Sequence, residues 1–335
     1  AIEAQANLRA RLTERTAEVI EKANRDGRTV IVLAGRPYHI DPLIQHKVSQ
    51  AVAEMGIDVV TENVSYLDNE NIFDELHSLT QWSFPTRIFK AAHYVANAPD
   101  NVQFIELTSF GCGPAAFILD EMGSILNRKG KNLTILKIDD VNNIGSLRLR
   151  IRSLVESLKL NNGHRKETKF VTTKPFMEGD RRRLIIGPYF AEGYSEFIPA
   201  FFKAKGYNLL NLPKGTPESN EYGLKYANND ICYPATIVIG TIMMALESGK
   251  FNPDDIAVAI TQTGGQCRAS NYLSLIKNAM VTAGFENSTY MFRKISVCCS
   301  TRCFMPTAFR NCTRVQSLGK RQKVSLGKSG TNTQK

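Results

Sequence analysis

Residues 29–62, TVIVLAGRPYHIDPLIQHKVSQAVAEMGIDVVTE, decide the fold. TVIVLAG is a short unbroken apolar run, as a strand buried on both faces requires. LIQHKVSQAVAEMG follows with helical spacing and closes on Gly56, and IDVVTE is again a strand. Strand, helix and strand within about 34 residues make a βαβ unit, which implies parallel pairing.

The alternation continues outward. PTRIFKAAHYVAN predicts a second helix, VQFIELTSF a third strand and PAAFILDEMGSILNRKG a third helix. LTILKID and GSLRLRIRSLVESLKL complete a first α/β domain over 28–165, preceded by an amphipathic helix at 1–27. The stretch between Tyr66 and Trp82 is more polar and is expected to be an excursion. A polar connector runs from Asn161 through 166–182. Strands then recur in RLIIGPY, YNLLNLP and DIAVAITQTG, and helices in YSEFIPAFFKAKG, PATIVIGTIMMALESG and NYLSLIKNAMVTAG. This second domain, 183–288, stops where a further strand is due and is expected to be truncated. The fold class is α/β: two Rossmann-like domains with mostly parallel sheets. No repeat between them is evident at the level of residues.

A net charge of +10 suggests polyanion binding, but its location argues otherwise. The ten lysines and arginines of 289–335, a stretch without acids, account for the whole excess, so residues 1–288 are neutral. A basic tail could hold phosphates weakly, and the folded part gives no sign of specific nucleic-acid recognition. The shift to Ser, Thr, Arg and Cys at 289–335 is expected of an out-of-frame or disordered tail. Its CCSTRC run lacks the second ligand pair or histidine of a zinc site. No apolar run approaches the ~20 residues of a membrane span. A start at Ala1, inside a helix and without Met, suggests a fragment.

Of seven cysteines, four lie in the tail (Cys298, Cys299, Cys303, Cys312) and three in the α/β part. Cys112 stands in SFGCGPAAF, Cys232 in NNDICYPATIV and Cys267 in TGGQCRASNY, each just ahead of a predicted helix. A thiol facing the free N–H groups of a helix start favours the thiolate, the form that binds soft metals and iron–sulfur clusters. Cys112 and Cys267 also follow strands, on the side of an open α/β sheet where ligands bind. Sparse unpaired cysteines are equally common as core filler, and both readings stand on the residues alone. AGRPYHIDP offers Arg36, Tyr38, His39 and Asp41 either to an anion or a partner loop, or to a Pro-fixed turn with Asp41 capping the next helix. TQTGGQCR lacks the Lys-Ser/Thr of a phosphate loop. His46, His77, His93 and His164 show no ligand spacing.

VLAGRPYHIDPLI, SFGCGPAAFILDE, LKIDDVNNIGSLRLRIRSL, LKYANNDICYPATIVIG and TQTGGQCRASNYLSLIKNA together resemble the large activase-related proteins of the 2-hydroxyacyl-CoA dehydratase system. The likeness runs in order from about residue 28 to residue 287, over the part similar to the dehydratase and double-cubane-cluster proteins. It implies a cytoplasmic, oxygen-sensitive iron–sulfur protein of an anaerobe. Such a protein takes low-potential electrons from an ATP-dependent activase domain or subunit and is coupled to dehydration or reduction of an acyl-CoA. Carried onto this chain, it makes Cys112, Cys232 and Cys267 ligands of a 4Fe-4S or double-cubane cluster. Gly111, Gly113, Gly264 and Gly265 would let the backbone approach the cluster sulfides. A homo-oligomer is expected, and no catalytic residue is assigned. The ATPase domains of that family are absent from this sequence, so no ATPase site is expected. The contrasting expectation is a non-catalytic docking module whose cysteines are structural.

Overall fold

The computed structural model describes residues 1–78, 82–109, 114–138, 144–160, 167–263 and 268–295. Residues Ala1–Ile295 form one compact unit. The first sheet contains β1 (Val30–Ala34), β2 (Asp58–Thr61), β3 (Val102–Thr108) and β4 (Thr134–Lys137), in the order β2-β1-β3-β4. Every pairing in it is parallel, with Val30 opposite both Asp58 and Val102. All residues of β1 and β3 are buried. Both faces are covered, as an all-parallel sheet requires.

The helices divide between the two faces. On one, α3 (Ser83–Asn97) and α4 (Pro114–Arg128) pack with Val30, Val32, Val102 and Phe104. The buried Ile20 and Ala23 of α1 (Ile2–Arg25) join this core. On the other, α2 (Val48–Ala53) and α5 (Ile144–Leu160) pack against Ile31, Leu33, Ile105 and Leu107. The helix expected from residue 43 begins only at Val48. His46 and Lys47 take positive φ of 52° and 58°, and Gln45 caps the shortened helix by accepting the Ser49 N–H at 2.9 Å. The polar excursion before α3 contributes buried Ile72, Leu76 and Trp82 as packing.

The second sheet has the order β5-β9-β8-β6-β7. Its strands are β5 (Lys174–Pro175), β6 (Leu184–Gly187), β7 (Asn208–Asn211), β8 (Ile256–Thr263) and β9 (Thr289–Ile295). Two sequence boundaries move as a result. β5 lies in the stretch read as connector, and β9 takes the first seven residues assigned to the tail, supplying the strand that was missing after Glu286. TYMFRKI was grouped with the tail by charge, but it pairs in register with β8 from Ala257–Thr289 onward. The remainder of the tail, with its four cysteines, lies outside the described residues.

Taken without β5, the second sheet repeats the first: β7-β6-β8-β9 against β2-β1-β3-β4. The connection between β7 and β8 carries α7 (Pro217–Gly223) and α8 (Tyr233–Glu247), and α9 (Tyr272–Thr282) joins β8 to β9. A repeat that no residue pattern disclosed is thus plain in strand order. Helix α6 (Phe197–Ala204), between β6 and β7, stands where α2 stands in the first half.

Lys131 shows how tightly the first half is tied. Its side chain is buried, and its Nζ donates to the carbonyls of Val95, Ala98, Pro99 and Val102 at 2.6–2.9 Å. These close the end of α3 and the turn into β3. Lys131→Met keeps the stem but removes the charged donor. The Val95 and Pro99 carbonyls keep the Ala98 and Val102 N–H groups. The cost is therefore that of the lost charged hydrogen bonds, about 1.5–3 kcal/mol. The urea midpoint is expected to fall with the slope unchanged; a midpoint equal to that of the parent would refute this role.

Candidate functional site at the seam of the two halves

Cys232 is the one predicted ligand among the described residues. Cys112, Cys267 and the glycines Gly111, Gly113, Gly264 and Gly265 lie outside them. Cys232 caps α8 in extended backbone, and its carbonyl accepts the Ala235 N–H at 2.9 Å, which starts the helix. Pro234 stands in the first turn, where its missing N–H is no loss. The thiol is half-buried and free, with Sγ 3.2 Å from the Tyr272 hydroxyl.

Tyr272 opens α9 and stacks on Phe117 of α4, with centroids 6.1 Å apart. Asn228, just before Cys232, donates to the carbonyl of Ala116 at 3.0 Å and to Asp120 at 2.8 Å. Lys137, at the end of β4, pairs with Asp230 at 2.6 Å. The α7–α8 loop is therefore fastened to the first half at two points just ahead of the thiol. Here the starts of α4, α8 and α9 come together, which sequence spacing alone could not reveal.

Beside them lies a cavity of about 10 Å³ lined in part by His77, Asp120, Glu121 and Asn278, about the space of one water. Its ionisable groups are pushed toward their neutral forms. Burial raises Asp120, against the hydrogen bonds from Asn228, and raises Glu121, against those from the His77 and Ser78 backbone. Burial also lowers Lys277 of α9. His77 falls to about 4 through burial and the charge of Lys277. Its Nε2 lies 3.1 Å from the Val171 carbonyl, so that nitrogen carries the proton.

A second cluster lies at the carboxyl ends of β1 and β3, where the strand order reverses and α/β sheets bind ligands. The Arg36 N–H donates to His39 Nδ1 at 3.1 Å, so Nε2 bears the proton facing Ser109 Oγ at 3.4 Å. Gly35 is needed for this approach, because a Cβ there would sit 2.6 Å from His39 Nδ1 and 2.9 Å from the Leu107 carbonyl. Asp41 accepts the Leu43 and Ile44 N–H groups at 2.8 and 3.2 Å. Asp41 thus caps a turn and not the helix it was expected to cap, because α2 begins only at Val48. Beneath lie two acids that the sequence reading passed over. Glu106 is fully buried in β3, and burial together with the Glu62 carboxylate raises it well above the usual range, against the pull of Arg36. Glu62 is raised by burial, against its 2.6 Å pair with Arg87. One oxygen of each has no hydrogen-bond partner. A single charged residue inside the run VQFIELT was the available signal.

His39, lowered to about 4 by burial and by Arg36, behaves like His77. Both are depressed from 6.5, so the unfolded chain binds their protons first as pH falls. The stability they contribute is fully present above pH 6.5 and is lost toward pH 4. Titrated by NMR through their ring Cε1–H signals, both imidazoles are expected to stay neutral at pH 6. A midpoint near 6.5 for either would show that it is not buried as described.

Comparison with known proteins bears on the second cluster. Residues 1–64 match the CoA enzyme activase uncharacterised domain. The chain is thereby related to the CoA enzyme activases over α1, β1, α2 and β2, and the Arg36–Asp41 loop falls within the match. No curated protein matches the chain. Among solved structures, a LacI family transcriptional regulator from Arthrobacter sp. FB24 is 14% identical, over 80% of this chain and 96% of that one, with a TM-score of 0.19. A LacI-type transcription regulator from Bifidobacterium animalis subsp. lactis is 11% identical, over 78% and 95%, also with a TM-score of 0.19. Superposition that poor carries no functional argument. Beyond the activase-related domain, the seam around Cys232 is described by its own geometry. Among the described residues no group of three or more His, Cys, Asp or Glu side chains could hold a metal, and no helix is long and apolar enough to cross a membrane.

Proposed function

We propose that the chain is an iron–sulfur redox module of an activase-related system, with Cys112, Cys232 and Cys267 as cluster ligands. The observation that carries the reading is the position of Cys232: a free, half-buried thiol capping α8 at the seam, beside Tyr272 of α9 and close to Phe117 of α4. Cys112 precedes the first residue of α4 by two positions, and Cys267 precedes Arg268 by one. A cysteine kept as filler would sit within an element rather than cap a helix between two sheets. The donor chemistry suits iron and sulfide, since helix-start thiolates are soft ligands.

When bound, such a cluster supplies one-electron transfer at low potential. The chain's own residues hold its surroundings. Asn228, Asp120 and the Lys137–Asp230 pair fix the Cys232 loop, and Tyr272 offers a hydroxyl donor to its sulfur. Phe117 and Tyr272 screen that side from water. The electrons would come from an ATP-dependent activase domain or subunit and serve dehydration or reduction of an acyl-CoA. Anaerobic reconstitution of the full chain with iron and sulfide tests the reading; a well-folded chain that takes up neither rejects it.

One observation favours a second reading. The activase-related match, residues 1–64, contains no cysteine. A docking module that engages an ATPase or dehydratase subunit through this segment needs no metal, and it would bind its partner equally well after all three cysteines were replaced by alanine.

A further inference from the structure

The loop after β1 leaves a cation without a counter-ion. Among the described residues, the half-buried arginines Arg28, Arg87, Arg128 and Arg183 each lie within 3.7 Å of a carboxylate. Arg36, half-buried like them, forms no such pair with a described residue. The acid that senses it is Glu106 of β3. Burial and the Glu62 carboxylate disfavour a charge there, against the pull of Arg36. Register explains the crowding. Glu106 lies opposite Ala34, and Glu62 follows Thr61, which lies opposite Leu33. Both acids therefore flank the small Ala34, and Glu62 already pairs with Arg87 at 2.6 Å. A cation drawn partly out of water without a partner costs free energy that a bound anion would offset.

The hydrogen bonds around Arg36 also end in donors. Its Nη1 donates to the Tyr38 hydroxyl at 3.2 Å, so the Tyr38 proton is directed elsewhere. His39 Nε2–H faces Ser109 Oγ at 3.4 Å, so that hydroxyl too gives its proton elsewhere. The Tyr38 and His39 rings meet edge to face, with centroids 4.5 Å apart, which holds the two arms together. Tyr38 is exposed and Ser109 half-buried, so neither residue is closed off from solvent. A guanidinium and two hydroxyl donors stand at the carboxyl ends of β1 and β3, where the strand order reverses. Such a set matches an acceptor-rich, negatively charged group.

We propose that Arg36, Tyr38 and Ser109 form an oxyanion site, which takes the phosphate or carboxylate group of a small ligand. The remaining N–H groups of the planar guanidinium fit either group, and the two hydroxyls add further bonds. His39 is a positioning residue. The Arg36 backbone N–H fixes one of its ring nitrogens at 3.1 Å, and the other orients Ser109. The proposal is independent of a cluster at Cys232.

The test follows the His39 ring Cε1–H signal of the full chain near pH 7 at constant ionic strength, with inorganic phosphate added in one series and acetate in another. A saturable shift is expected, and the tighter of the two anions identifies the group the site takes. Arg36→Gln should weaken binding at least tenfold. The backbone N–H that holds His39 survives that change, so the reporter stays in place. Ser109→Ala and Tyr38→Phe each remove one hydroxyl donor and should weaken binding about three- to tenfold. Comparison of the parent with Arg36→Gln also separates this site from anions gathered by the lysines and arginines of 289–335. The absence of a saturable shift with either anion overturns the proposal. So does a shift undiminished in Arg36→Gln, which would mean an adventitious ion only.

Discussion

Gly240→Ala is expected to unseat α8, lowering stability by about 3 kcal/mol or more and displacing Cys232 from Tyr272. Helices α7 and α8 meet backbone to backbone. A Cβ on Gly240 would overlap the Ser219 carbonyl oxygen and lie 2.7 Å from the Gly223 nitrogen, while a Cβ on Gly223 would overlap the Thr236 carbonyl. No flexible side chain is there to yield, so the helices must separate, and forced overpacking of this kind costs about 1–3 kcal/mol or more. Separation also disturbs Asn220 and Thr236, which hydrogen-bond across the contact. Gly123→Ala in α4 is the control. Its Cβ would meet nothing within 4 Å, and alanine at an open helical site gains about 0.5–1 kcal/mol. Urea unfolding of the two variants should therefore move in opposite directions. Equal midpoints would mean that α7 and α8 are not packed as described.

The fold was legible where one physical signal dominates. Unbroken apolar runs such as VIVLA and VQFIELT mark doubly covered strands, and both became central strands of the first sheet. Ends set by less regular chemistry were not legible. The start of α2 depends on positive φ at His46 and Lys47, and neither residue type announces it. TYMFRKI was read by its charge as tail, although its pairing with β8 determines its place.

The candidate site divided in the same way. That a cysteine stands at the start of α8 followed from Pro234 and the helical pattern behind it. That Phe117 and Tyr272 gather beside the Asn228–Cys232 loop is tertiary geometry between segments 40 and 112 residues apart, and nothing local encodes it. Glu62 and Glu106 are likewise brought together by β2 and β3 flanking β1. The equivalence of the halves was hidden because strand order, rather than residue identity, carries it.

The largest effect of all is expected from the three cysteines, singly replaced. Cluster binding is cooperative in its ligands, because a cluster deprived of one thiolate is open to water and to loss of iron. Cys112→Ala, Cys232→Ala and Cys267→Ala should each remove nearly all bound iron, not one third of it. Cys232→Ala is the informative member, since its thiol is half-buried at a helix start and alanine leaves the packing of α8 almost intact. Circular dichroism of this variant should remain close to the parent, and its urea midpoint close to that of the parent stripped of iron.

The direct measurement is iron and acid-labile sulfide per chain on anaerobically purified protein, for the parent and the three variants. Near-stoichiometric iron and sulfide in the parent, lost in all three variants with the fold retained, is the result expected of a shared cluster. A folded parent without iron, or iron that survives any one of the three replacements, would contradict it.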